Sequence, residues 1–188
     1  MSGKFYLHED DWGMIELLPV ENMAGRQRVA EAARQFSQEH ADGVGWTAMY
    51  EVPEAEHSLE ERQIQLAELR ALVGAWLPEA AMVESGYSSY VETVAHAFAF
   101  GGAAAGLGAF YGTYKGDIIT ELYCLRPDGA DAVAVARFAA LLAMLGQRHR
   151  LMLADWWSDT LVDLRDAATI TSYLHGGADP QEDSATDL

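Results

Sequence analysis

The sequence predicts an α+β fold, a mostly antiparallel sheet with helices packed on one face. Three observations carry that prediction. Short apolar runs bounded by turn residues recur along the chain and read as strands. Three longer stretches repeat apolar residues at helical spacing and begin at capping residues. The 188 residues are 50% hydrophobic and 22% charged, enough for one substantial core without a second domain. Residues 1–175 are therefore expected to form a single globular domain. Residues 176–188, an acidic tail without core formers, are expected to be disordered.

Phe5–His8 and Met14–Leu18 read as two short strands. Glu9-Asp-Asp-Trp-Gly13 between them supplies turn chemistry, which predicts a hairpin. Asn22 is placed to cap a helix running to about His40, with Val29, Ala32, Ala33 and Phe36 on one face. Trp46–Val52 reads as a strand stopped by Pro53. Ser58-Leu-Glu-Glu61 is a capping-box pattern. The helix it opens would carry Leu59, Leu66, Leu69, Val73, Trp76 and Leu77 on one stripe and close at Pro78. Tyr87–Thr93 is polar and aromatic, and Tyr87-Ser-Ser-Tyr90 within it could line a groove or form a simple loop. Val94–Phe100 fits strand or helix. The small residues Gly101–Gly108 read as a turn between strands.

Asp117–Leu125 is a clear strand, ended by Arg126-Pro-Asp-Gly129. Asp128 or Asp131 starts a helix to about Leu145. Its apolar residues lie on nearly every face, which predicts a central helix. Arg150–Trp157 reads as a strand, and Asp166 caps a last helix to Leu174. Phe5-Tyr6 and Phe110-Tyr111 share one offset with Glu16-Leu17 and Glu121-Leu122. That match suggests two pseudo-repeated strand–strand–helix–strand units, whose strands would join one sheet.

Twenty-nine acids against twelve bases give a net charge of −17. Such a field repels nucleic-acid backbone and anionic lipid, so neither is an expected partner. It attracts basic proteins. Val94–Phe110 is too short and too glycine-broken to span a membrane. One cysteine, Cys124, excludes an internal disulfide, and the N-terminus lacks the blocks of a signal peptide. A cytoplasmic protein is expected.

Reactive centres are hard to find in this chain. Gly101–Gly108 lacks the Gly-Lys-Ser/Thr ending of a phosphate loop. Cys124 sits between Tyr123 and Leu125 with nothing electropositive to lower its pKa. No short-spaced ligand pairs suit zinc. No cofactor, metal or catalytic set is expected. Instead, Asp10 and Asp11 beside Trp12, and Asp155, Trp157 and Asp159, combine carboxylates with large rings. That mix occurs at the energetic centres of interfaces. These six residues are the expected partner contacts.

The opening Phe5-Tyr-Leu-His-Glu-Asp-Asp-Trp-Gly-Met-Ile-Glu-Leu-Leu-Pro-Val-Glu-Asn22 resembles the start of immunity proteins of bacterial polymorphic toxin and interbacterial effector systems. The resemblance implies a cytosolic neutraliser that occludes the active site of a toxin domain, with no catalytic residues to carry over. An acidic plug in a basic cleft would gain association rate from steering. Two other readings stay open. One is a metal- or small-molecule-dependent enzyme built on His8, Glu9 and Asp10 with Glu121. The other is an adaptor or chaperone for a secreted effector. Homodimerisation is compatible with all three.

Overall fold

A computed structural model describes residues 3–41, 48, 50–102 and 106–176. The fold is α+β. Among the described residues, the strands are β1 (Lys4–His8), β2 (Ile15–Pro19), β3 (Met82–Tyr87), β4 (Tyr90–Thr93), β5 (Ala97–Gly101), β6 (Ala109–Lys115), β7 (Ile118–Leu125), β8 (Leu151–Asp155) and β9 (Thr160–Asp163). The α-helices among the described residues are α1 (Met23–His40), α2 (Leu66–Val73), α3 (Ala132–His149) and α4 (Ala167–Gly176). Six strands make an antiparallel sheet in the order β5-β6-β7-β2-β8-β9. The other three make a small sheet, β1-β3-β4, in which β1 runs parallel to β3.

Alternation along the strands decides which residues meet. Ile15, Leu17, Phe110, Leu122, Cys124, Leu151, Leu153 and Val162 point to one face of the large sheet. There they pack with Leu69 and Val73 of α2, Phe138, Leu141, Leu142 and Leu145 of α3, and Ile170 and Tyr173 of α4. The opposite face carries a cross-strand row, Ala99, Tyr111, Tyr123, Glu16, Ala154 and Leu161. Phe5, Leu7 and Val83 of the small sheet cover its Ala99–Tyr111 end. Near Leu161 that face meets Met23, Ala30 and Arg34 of α1. The helices are thus split three and one between the faces, not gathered on one. All five residues of β8 are buried because both its faces are covered.

Several expectations need correction. β1 and β2 are strands but not a hairpin. A single 3-10 turn, Glu9–Asp11, follows β1, and the chain then crosses from the small sheet to the large one. The alternating apolar residues of the two strands therefore serve different cores. The two supposed repeat units differ for the same reason, since β6 and β7 are neighbours in one sheet while β1 and β2 are not. Trp46 lies outside the described residues, and Tyr50–Val52 form no strand.

Asn22 does not cap α1 with its side chain. It is buried and instead clasps His57, donating from Nδ2 to the carbonyl at 2.8 Å and accepting the amide proton at 3.0 Å. The helix expected from Ser58 is broken after one turn. Glu61 accepts the Ser58 amide proton as the capping pattern requires, at 3.2 Å. Gln63 then turns left-handed at φ 52°. The buried Ile64 lies alongside β7, its carbonyl accepting the Ile119 amide proton at 2.9 Å, before α2 starts. Edge pairing to β7 thus outweighs helical propensity over these residues.

α3 is not central. Val133 and Met144 are exposed, and one face alone is buried. Its glycine has a packing reason. A Cβ on Gly146 would come within 2.1 Å of the Leu164 carbonyl, so α3 can approach the β9–α4 connection only with glycine there. Asp131 caps α3, accepting the Ala134 amide proton at 2.7 Å, and Asp166 caps α4 through Ala168 at 2.9 Å.

Candidate functional site

The six residues expected at an interface do not form one cluster. Asp155 is 1% exposed and is not a surface group. It sits on the same face of β8 as Leu151 and Leu153. Its Oδ1 accepts the amide protons of Trp157 and Ser158 at 2.9 and 3.2 Å, and its Oδ2 accepts the Tyr173 hydroxyl proton at 2.8 Å. The Arg126 guanidinium lies 3.8 Å from the carboxylate and 5.3 Å from the Tyr173 ring centre. This buried carboxylate shapes the turn after β8 and anchors α4. Burial, with the nearby Cys124 and Asp155, pushes the Tyr173 phenol far above its ordinary range, so it stays a donor. Burial likewise raises the Cys124 thiol, which is no nucleophile at neutral pH.

Trp12 is half-buried. Its ring packs edge-on against Tyr111 and Tyr123, with centroids 5.2 and 6.1 Å away. It wedges between the sheets instead of offering a free anchor. Burial raises both tyrosines well above the ordinary phenol range. Asp11 is half-buried, and its backbone carbonyl accepts the Tyr111 hydroxyl proton at 3.3 Å. Asp10 is exposed beside His8, whose Nδ1 accepts the Asp10 amide proton at 3.2 Å.

Trp157 and Asp159 lie on the β8–β9 turn, both exposed, with Arg34 of α1 3.8 Å from Asp159. The Trp156 amide donates to the Met14 carbonyl at 2.9 Å, so this turn and the acidic turn after β1 share one end of the molecule. Trp156 itself is held inward. Its indole N–H donates to Glu16 Oε1 at 2.9 Å, and Arg26, also bound to Glu16 at 3.1 Å, lies over its ring.

Glu121 is not brought to His8, Glu9 and Asp10. It accepts a hydrogen bond from Thr113 Oγ1 at 2.8 Å on the large sheet, while His8 ends a strand of the small one. Among the described residues, no three His, Cys, Asp or Glu side chains gather as a metal site. No described helix is long and apolar enough to cross a membrane.

Three open rings lie on the small sheet, while Trp157 on the β8–β9 turn, at 63%, is another widely exposed ring. Tyr6 is 47%, Tyr87 60% and Tyr90 82% exposed, with Met82 and Val91 also open. Tyr6 alternates with the buried Phe5 and Leu7, so the pleat drives it outward. Its hydroxyl donates to the Gly86 carbonyl at 2.8 Å, which fixes the ring across β3. Tyr87 and Tyr90 are a cross-strand pair around the β3–β4 turn, and Tyr87 meets the His8 ring edge-on at 5.1 Å. Gly86 is required here, because a Cβ would fall 1.9 Å from the Tyr90 carbonyl.

The same sheet and the turn after β1 carry five carboxylates: Glu9, Asp10 and Asp11 on the turn, Glu84 on β3 and Glu92 on β4. Among them stands Lys4, paired with Glu84 at 2.6 Å. Rigid, wide rings in a negative field can bind an apolar and cationic surface. The sequence flagged Tyr87–Tyr90 as a patch but missed Tyr6, whose outward direction was readable from its two apolar neighbours. No protein family, curated protein or solved structure matches this chain.

Proposed function

We propose that this chain is a non-catalytic binding protein, an immunity protein that docks its tyrosine-rich, acidic small sheet onto a basic toxin domain and occludes the active site. One observation carries the proposal. Three tyrosines stand open on one three-stranded sheet, whose strands and adjoining turn also carry five carboxylates and a single lysine. Tyrosine supplies large contact area with few rotatable bonds, so little entropy is lost when it docks. The carboxylates add long-range attraction to a basic cleft and reject nucleic acid that would compete for it. The resemblance of residues 5–22 to immunity proteins supports the same reading, and those residues include Tyr6, Glu9, Asp10 and Asp11.

The test is growth rescue. A candidate toxin domain, sought in the genes neighbouring this one, is expressed with and without the chain. Rescue by the wild type, lost with Tyr90→Ala combined with Asp10→Lys, is the expected result. An effector that stays active in the presence of the chain would point instead to an adaptor. Rescue untouched by the double substitution would reject this face.

A further inference from the structure

We infer that the outer edge of β4, unpaired among the described residues, is a strand-addition site, which receives an extended, basic segment of the protein partner as a fourth strand. This rests on the docking role of the small sheet and specifies how the sheet engages.

β4 is unlike the other strands. All four of its residues, Tyr90, Val91, Glu92 and Thr93, are exposed. Neither of its faces is buried, and it is held by its ladder to β3. The Val94 amide donates to the Val83 carbonyl at 3.0 Å, which sets the alternation. Residues 90, 92 and 94 direct their backbone groups to β3, and Val91 and Thr93 direct theirs to the open side. An edge presenting free N–H and C=O groups is a template for another strand.

The large sheet shows the contrast. Its β5 edge is covered by the preceding segment, with the Ala80 amide donating to the Ala99 carbonyl and the Gly101 amide to the Pro78 carbonyl, both at 2.9 Å.

Charge chooses the occupant. A second copy added antiparallel would bring Glu92 close to its own counterpart, and like charges across a strand pair are unfavourable. The whole chain carries −17, which opposes self-association further. A segment with alternating basic residues would set them against Glu92 and the Tyr90 ring, which alternation places on one face of β4. Its apolar residues would meet Val91 on the other face. Backbone pairing would then supply affinity and the rings specificity.

The test uses the full chain and a short synthetic peptide of alternating arginine and valine, followed by amide hydrogen exchange. At saturating peptide, exchange at the Val91 and Thr93 amides is expected to slow about tenfold or more. The same peptide with alternate backbone nitrogens methylated should bind about tenfold more weakly. Val91→Pro removes an outward amide at a place where edge strands tolerate proline. It should weaken binding to a similar degree while leaving the melting temperature near wild type.

Peptide binding without protection of those two amides, or with equal affinity for the methylated peptide, would overturn strand addition while leaving a charged docking face in place. No binding at millimolar peptide would overturn it as well. Rescue of growth from the toxin is scored separately and decides the docking role on its own.

Discussion

Replacing Asp155 by Ala should cost stability and not affinity. The substitution removes the acceptor of three hydrogen bonds, from the Trp157 and Ser158 amides and the Tyr173 hydroxyl. It also leaves Arg126 without its carboxylate. Hydrogen bonds to a charged acceptor contribute about 1.5–3 kcal/mol each, but these share one carboxylate and do not add. The turn amides can also find water, because Trp157 and Ser158 are exposed. What cannot relax is Tyr173, whose hydroxyl is left in the core, and the cost of breaking such a buried charged network is about 3–5 kcal/mol. For a chain of this size that corresponds to a fall of roughly 10 °C in melting temperature. Asp155→Asn keeps an oxygen for the two amides and should cost only about 1–2 kcal/mol. Urea unfolding followed by tryptophan fluorescence measures both, with an unchanged slope showing that the unfolded state is the same. An Asp155→Ala variant within about 0.5 kcal/mol of wild type would refute the reasoning. So would a variant of full stability that binds its partner weakly.

Two further perturbations probe the opposite face and the pH dependence. Glu16→Gln should cost about 2–3 kcal/mol, because it removes the negative charge beside the nearly buried Arg26 and leaves one amide oxygen where two carboxylate oxygens served Arg26 and Trp156. Arg26→Met in the same chain should recover part of that loss, and Trp156 emission reports whether its ring has loosened. His149 is held below the ordinary imidazole range, since burial against the core outweighs the attraction of Glu68. A depressed folded pKa means stability is fully present above about pH 6.5 and is lost as pH falls below it. Melting temperature should therefore drop between about pH 7 and pH 5, and His149→Gln should flatten that drop. A flat profile in the wild type would contradict it.

Much of the fold was readable because it depends on local pattern. Leu151 and Leu153 alternate through β8, Asp131 and Asp166 stand where helix amides need acceptors, and glycines mark the β5–β6 turn. What escaped depended on pairing at a distance. Phe5 and Leu7 look the same whether β1 joins β2 or β3, and only the position of Met82–Tyr87 in space decides it. The Ser58 capping box was correct, yet pairing of Ile64 with β7 ended the helix after one turn.

The candidate site shows the same division. Acids beside tryptophan mark either a docking face or a structural hub, and residue type does not separate them. The pleat does. Asp155 follows Leu151 and Leu153 at even spacing, so alternation alone placed it inside, as it placed Tyr6 outside. Trp12 escaped even that argument, because its neighbours form a turn with no fixed pleat, and only the two facing tyrosines show where its ring goes.

Oxidative footprinting of tyrosine side chains, in the free chain and in complex with the proposed toxin partner, tests the docking face most directly. Tyr6, Tyr87 and Tyr90 should label readily alone and lose most of that labelling in the complex, while the buried Tyr111 and Tyr173 change little. Unaltered labelling of those three rings in a complex that still abolishes toxicity would place the contact elsewhere and contradict the account.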